Sequence, residues 1–279
     1  MLDPIFYINE NWIKKSEAKI SVNDAGFLLG DGLFETIRFQ NKNLFLIDKH
    51  LSRLKNGLET IKINSHYSNN ELIEILNQIV QKNEIDNGLI RLMITRGELE
   101  GEPWNYEGPV CLYASIRPIS KMSNSPVKVI LFNEEDYPII RYSPAIKSMN
   151  YIGNMLAKKD AEKQGAYEPV FINKSGFITE CAIRNIFFIK GKSLITPTEE
   201  LGILPGVMRD TIMKIGKELE LTIVKDYIKK EDINSMDEAF ISSSGIGLLP
   251  CYWENWNSDF KLTNQLQKYL FNYINENCK

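Results

Sequence analysis

The sequence predicts an α+β fold arranged as two domains, and three observations support this. Runs that alternate apolar and polar residues are interspersed along the chain with runs whose apolar residues recur three and four apart. A chain of 279 residues has room for one large or two modest domains. The stretch 118–126, rich in Pro, Ser and Asn, reads as an interdomain linker. The boundary is placed near Ser123, which makes 1–122 a small N-terminal domain and 123–279 a larger C-terminal one.

Taken in order, residues 4–9 read as a strand with a turn into Trp12. Residues 21–24 are turn-like, and Gly26, Gly30 and Gly32 mark a tight backbone ahead of a strand at 33–39. Its alternation puts Phe34, Thr36 and Arg38 on one face and Leu33, Glu35, Ile37 and Phe39 on the other. Gly-x-Gly here lacks the βαβ unit that a dinucleotide fingerprint requires. Asp48 reads as the N-cap of a helix with Leu51, Leu54, Leu58 and Ile61 inward, and Arg53 lies off that stripe. A second amphipathic helix covers 70–82, strands cover 88–97 and 109–117, and a loop joins those strands.

The second half opens with a strand at 127–132. Lys147 lies between an extended run and a helix at 150–164, which Gly165 ends. Strands follow at 168–173 and from 177, with Glu180 closing the latter and Asn185 preceding the apolar run 186–189. A hairpin through Gly191-Lys192 leads to 194–195. A helix at 205–220 starts in LPGVMRD, where free N–H groups and the positive dipole end suit an anion. The strand 239–243 runs into Ser244-Gly245-Ile246-Gly247, and 262–275 is a terminal helix.

Composition narrows the function. Apolar content of 43% and charged content of 25% are those of a globular protein. The net charge of −3 gives no reason to expect nucleic acid or an anionic membrane as partner. No apolar run approaches the ~20 residues of a membrane helix. MLDPIFYINE has no basic n-region, so it does not read as a secretory signal. Cys111, Cys181, Cys251 and Cys278 are far apart, and His50 and His66 are the two histidines, which speaks against a structural metal or a disulfide framework. The default is a reduced, cytoplasmic enzyme.

A lone Lys or Glu is ordinarily a solvated charge. Four motifs in order change that reading: AGFLLGDGLFETIR at 25–38, IKSMNYIGNMLAKKDA at 146–161, ITECAIRNIFFI at 178–189 and LPGVMR at 204–209. Together they resemble the class IV aminotransferases, the fold-type-IV enzymes that use pyridoxal 5′-phosphate (PLP), and the resemblance covers nearly the whole chain. It implies a small α/β domain followed by a larger domain with a β-barrel-like sheet core. Lys147 would be the Schiff-base lysine and catalytic residue, and Glu180 the partner of the pyridine nitrogen. Arg53, the N–H groups of Val207 and Met208, and the Ser244 hydroxyl would hold the phosphate, with Gly206 and Ser243 also binding the cofactor. Leu204 would pack on the ring, Tyr151 would reach the phenolic oxygen, and Asn185 would brace the Glu180 turn. Phe34, Arg38, Arg96, Arg184, Gly245 and Ile246 are the candidate substrate residues. A homodimer is also implied, with the 96–108 loop lent across its interface.

The departures bear on substrate. D-specific members carry an Arg-x-His trap where this chain has Gly101, and a tyrosine where it has Phe34. Aminodeoxychorismate lyases often have Thr at the position of Glu35, yet their ECCAAN is close to ECAIRN. Arg184 stands where small or apolar residues are common, and it reads either as a ligand for a substrate carboxylate or as a solvated arginine on a strand edge. The expected activity is amino transfer between an amino acid and a 2-keto acid. The alternative is cleavage of aminodeoxychorismate to 4-aminobenzoate and pyruvate.

Overall fold

The computed structural model describes residues 3–106, 108–119 and 125–278, so the Ser123 boundary lies outside the described residues. The chain divides into two units. One takes residues 1–120 together with 146–150 and 274–279; the other takes 121–145 and 151–273. The Lys147 segment therefore belongs with the N-terminal unit, although the sequence assigns all of 123–279 to one domain. The reason is backbone pairing: Lys147 and Met149 bond to the strand that holds Phe34.

The first unit contains β1 (Ile5–Ile8), β2 (Asn11–Lys14), α1 (Ala25–Leu29), β3 (Gly32–Gln40), β4 (Asn43–Leu44), α2 (Ile47–Thr60), α3 (Asn69–Gln81), β5 (Gly88–Thr95) and β6 (Cys111–Pro118). Its six strands form one antiparallel sheet in the order β2-β1-β6-β5-β3-β4. Leu33, Ile37 and Phe39 of β3, with Ile90, Leu92 and Ile94 of β5, bury one sheet face in a cluster with Leu51, Leu54 and Leu58 of α2 and Leu72, Leu76 and Ile79 of α3. The period-two pattern of β3 meets the period-3.6 stripes of the helices, which is what binds these layers.

Two local details differ from the sequence reading. Residues 25–29, expected as irregular backbone, form a short helix because the Asp24 carboxylate accepts from the N–H groups of Gly26 (2.8 Å) and Phe27 (3.2 Å). Gly30 ends this helix at φ +68°, a conformation glycine adopts without strain. Asp48 is not the cap of α2: Leu46 holds that position without a side-chain bond, and Asp48 sits in the first turn, where its charge still suits the dipole.

The second unit contains β7 (Val127–Asn133), α4 (Ile152–Lys163), β8 (Glu168–Ile172), β9 (Ile178–Cys181), β10 (Asn185–Lys190), β11 (Ser193–Pro197), α5 (Val207–Glu218), β12 (Thr222–Asp226), β13 (Glu238–Ser243), β14 (Gly247–Tyr252) and most of α6 (Lys261–Asn277). Eight strands run in the order β12-β11-β10-β13-β14-β7-β8-β9. The edge strand β9 comes back against β10 and β11, so the sheet is curled into a half-barrel. Every residue of β8 is buried, and Phe187 of β10 stacks on Phe240 of β13 at 4.9 Å. The curl places the end of β9, the start of β10 and the entry to α5 side by side.

The strand β12 escaped the sequence reading. It is short, partly exposed and charged, and it is held by parallel pairing to β11 rather than by alternation. No helix among the described residues is long and apolar enough to cross a membrane.

Candidate active site

The candidate residues fall in both units. In the first, Lys147 is fixed by its backbone. Phe34 N–H donates to the Lys147 carbonyl (3.0 Å), Met149 N–H donates to the Gly32 carbonyl (3.0 Å), and Ser148 bridges Leu33. The segment thus pairs with β3 at one isolated antiparallel bridge. The Lys147 ammonium lies 4.5 Å from the centre of the Phe34 ring, which also carries the Arg91 guanidinium at 4.5 Å.

On the other face of β3, Glu35 is fully buried. Arg53 of α2 meets it with two parallel donors, Nε to Oε1 (2.8 Å) and a terminal nitrogen to Oε2 (2.7 Å). His50 Nδ1 also meets Oε2 at 2.7 Å. Burial raises the Glu35 carboxyl, but the Arg53 charge and the hydrogen bonds from Arg53 and His50 outweigh it and hold it well below the usual carboxylate range. Burial pushes His50 down, with the Glu35 carboxylate opposing. A neutral His50 carries its proton on Nδ1 towards the carboxylate, which leaves Nε2 as a buried acceptor with no hydrogen-bond partner.

Arg96 is not placed as the sequence suggested. Arg96 spends its donors on Asp31 (2.5 and 3.2 Å) and on the carbonyls of Ile61 (2.9 Å) and Lys62 (3.0 Å), which makes it a brace. Arg38 reaches Gln40 at 3.4 Å, near Cys278, and burial lowers its guanidinium below the ordinary value.

In the second unit, both oxygens of Glu180 are engaged. Oε1 accepts from Arg141. Oε2 accepts from the Leu204 N–H (3.2 Å) and from Asn185 Nδ2 (3.3 Å). Asn185 Nδ2 also donates to the Leu204 carbonyl (3.0 Å), so one amide ties the end of β9 to the loop before α5. Gly206 is the N-cap of α5 with no side-chain cap. A Cβ there would meet Asn185 Oδ1 at 2.1 Å, so only glycine fits. Val207 and Met208 are buried in the first turn.

Ser242 pairs with Asn185 across β13 and β10, and its hydroxyl is buried with no hydrogen-bond partner. Ser243 ends β13 and is followed by the partly buried turn of Ser244, Gly245 and Ile246. Tyr151 is the N-cap residue of α4.

Arg184 does not extend an open fork. One terminal nitrogen donates to Glu168, the other donates to the Tyr167 hydroxyl (2.8 Å), and the guanidinium lies 4.7 Å from the centre of the Tyr167 ring. Glu168 Oε1 accepts from the Ile183 N–H (3.0 Å). The expected carboxylate ligand is an internal ion-pair partner. A buried acid on an all-buried strand demands one, and four residues after Glu180 the turn brings Arg184 to it.

Several of these groups were missed by the sequence reading. Glu35 was visible as an acid on an apolar stripe, and His50 and Arg53, three apart on α2, were its natural partners. Arg141 and Glu134 had no local signal, because 39 residues separate Arg141 from Glu180.

A family model described as amino-transferase class IV matches residues 32–252. Three relatives are similar over most of their length. A protein of Methanocaldococcus jannaschii, provisionally named a branched-chain-amino-acid aminotransferase, is 29% identical over 88% of this chain and 86% of its own. The aminodeoxychorismate lyase of Bacillus subtilis is 29% identical over 88% and 85%. A D-alanine aminotransferase of Listeria monocytogenes is 30% identical over 87% and 85%. Among solved structures, the branched-chain aminotransferase of Thermoproteus uzoniensis with norvaline superposes with a TM-score of 0.90 at 21% identity, covering 98% of this chain and 95% of that one. The branched-chain amino acid aminotransferase of T.th. with pyridoxamine 5′-phosphate gives 0.87 at 20% identity, covering 99% and 96%.

Proposed function

The chain belongs to the class IV aminotransferase family, whose members depend on PLP, and from that premise we propose that it moves an amino group between an amino acid and a 2-keto acid with PLP held at Lys147. The observation that carries this reading is the Lys147 segment: backbone bonds on both sides lock it to β3, and the amine lies over the Phe34 ring.

The residues present fit PLP. The α5 N-terminus has no side-chain cap, and the buried Ser242 hydroxyl opposite Asn185 has no partner. These are features of an anion cradle. The N–H groups of Val207 and Met208, the hydroxyls of Ser243 and Ser244, and Arg53 would hold the phosphate. Glu180 would sit against the ring nitrogen and Leu204 against the ring, with Asn185 and Tyr151 as supports. When bound, PLP supplies an aldehyde for the amino group and a ring that withdraws electrons.

The chain's own groups do the rest. The Lys147 amine holds the cofactor, then takes a proton from the substrate α-carbon and returns one. The Glu180 carboxylate keeps a proton at the ring nitrogen. Glu35 aims the Arg53 fork, and Phe34 supplies an apolar wall beside the amine. Gly245 and Ile246 are proposed for the substrate side, and a homodimer is part of the reading.

One test combines chemistry and mapping. Purified protein is incubated with PLP, an amino donor and 2-oxoglutarate or pyruvate, and separately with aminodeoxychorismate. Amino transfer is expected, with borohydride fixing the cofactor on Lys147. A label on another lysine would sink the assignment. The similarity to the Bacillus subtilis lyase and the ECAIRN segment favour a second reading, the lyase reaction. Aminobenzoate formed without amino transfer would put that reading first.

A further inference from the structure

We propose that Glu134 governs, through Arg141, the negative charge that Glu180 presents, which makes Glu134 and Arg141 positioning residues for the cofactor ring. The inference rests on the PLP reading above and concerns residues that the motifs leave out.

Glu134 follows β7 in a single 3₁₀ turn. Its Oε1 receives Arg141 Nε at 3.0 Å, a second Arg141 nitrogen and the Thr179 hydroxyl at 2.6 Å. Arg141 also donates to Thr179 Oγ1 at 3.1 Å and, with its remaining nitrogen, to Glu180 Oε1. Thr179 and Glu180 are neighbours on β9, so Glu134 is tied to that strand twice, once through the guanidinium and once through the hydroxyl. The side chains of Glu134 and Glu180 are each 13% exposed and that of Arg141 is 20%.

The charge count gives the arrangement its meaning. One cation stands between two carboxylates, so the group carries a net charge of about −1 at neutral pH. Burial works against the Arg141 charge, yet the two carboxylates outweigh it and hold the guanidinium above its ordinary value. A guanidinium paired with Glu180 alone would cancel its charge and weaken its hold on a protonated ring nitrogen. Glu134 supplies the second half of the cation's neutralisation and leaves Glu180 its negative charge. The two bonds to Glu180 Oε2 are from neutral donors, so they orient the carboxylate without discharging it.

The test is Glu134→Gln, which removes the charge and keeps the shape. Wild type and variant are loaded with PLP labelled with ¹⁵N in the ring, and the nitrogen shift is followed against pH. In the variant the shift is expected to move towards the unprotonated ring, with kcat down about tenfold and KM within about twofold, one decade corresponding to ~1.4 kcal/mol. Glu134→Asp, which retains the charge, should restore the wild-type nitrogen signal in large part. A merely structural Glu134 would lower the unfolding midpoint and leave the nitrogen signal in place, and that result overturns the proposal. If Glu134→Gln is not recovered folded, Arg141→Lys carries the test. A lysine cannot bridge both carboxylates with parallel donors, so its ring nitrogen should also shift, and an unchanged signal is again fatal. Wild type that takes up PLP with borohydride label at Lys147, but whose variants keep its nitrogen signal, refutes this inference alone. Wild type that takes up no PLP refutes the functional reading beneath it.

Discussion

The two units solve the same problem with opposite stoichiometry. In the first, one carboxylate, Glu35, serves two nitrogen groups, Arg53 and His50. In the second, one guanidinium, Arg141, serves two carboxylates, Glu134 and Glu180. The first arrangement has one anion, one cation and a neutral imidazole, so its charges balance. The second retains a net negative charge. The difference teaches that a buried arginine is not by itself a sign of anion binding: what matters is how many carboxylates it must satisfy. Arg184 is the third case, a closed pair with Glu168, in which burial wins and holds the Glu168 carboxyl above its ordinary value despite the guanidinium.

The largest effect expected from this contrast is at Glu35. Glu35→Gln strands the buried Arg53 and His50, and breaking a buried pair costs about 3–5 kcal/mol. Urea unfolding should show that loss, whereas Glu134→Gln, which leaves Arg141 with Glu180, should lose less than half as much. Equal losses would erase the distinction between the two arrangements.

Arg184→Ala comes next, at about 3 kcal/mol, because Glu168 keeps the Ile183 N–H and Lys158 at 3.9 Å. KM for amino-acid donors should stay within about twofold. A rise of about tenfold or more in KM, with stability intact, would return Arg184 to the substrate carboxylate.

Gly206→Ala tests the cradle. The added methyl meets Asn185 Oδ1, so the Asn185 amide must move away from Leu204 and Glu180. Cofactor release measured by dialysis and absorbance should show PLP held about tenfold less tightly, ~1.4 kcal/mol. Unchanged affinity would remove this turn from the phosphate site.

The smallest effect is a slope in pH. Folding lowers the pKa of His50, so the unfolded chain takes up its proton first as the pH falls. Its contribution is fully present above the ordinary histidine value, about 6.5, and declines below it by at most ~1.4 kcal/mol per pH unit. The Glu35 carboxyl, also lowered, adds a second decline only below about pH 4.5. Unfolding measured from pH 7.5 to 5.5 should therefore show a slope that His50→Gln flattens. An identical slope in the variant would mean that His50 is not the group responsible.

The sequence by itself determined what repeats at short range. Alternation in 33–39 assigned the faces of β3, and Leu33, Glu35, Ile37 and Phe39 are all buried in the structure. The Leu51, Leu54, Leu58 stripe defined the inner face of α2 in the same way. The four ordered motifs carried the family and the half-barrel. Each of these signals lies within a dozen or so residues, where backbone geometry links spacing to direction. Tertiary structure alone decided the partners. Whether Arg53, Arg141, Arg184 or Arg96 reaches a ligand depends on which carboxylate or carbonyl the fold brings to its guanidinium, and those partners lie 7 to 65 residues away. The sequence shows that an arginine is present and carries a charge. Burial then requires that charge to be neutralised, and only the packed chain supplies the group that does it.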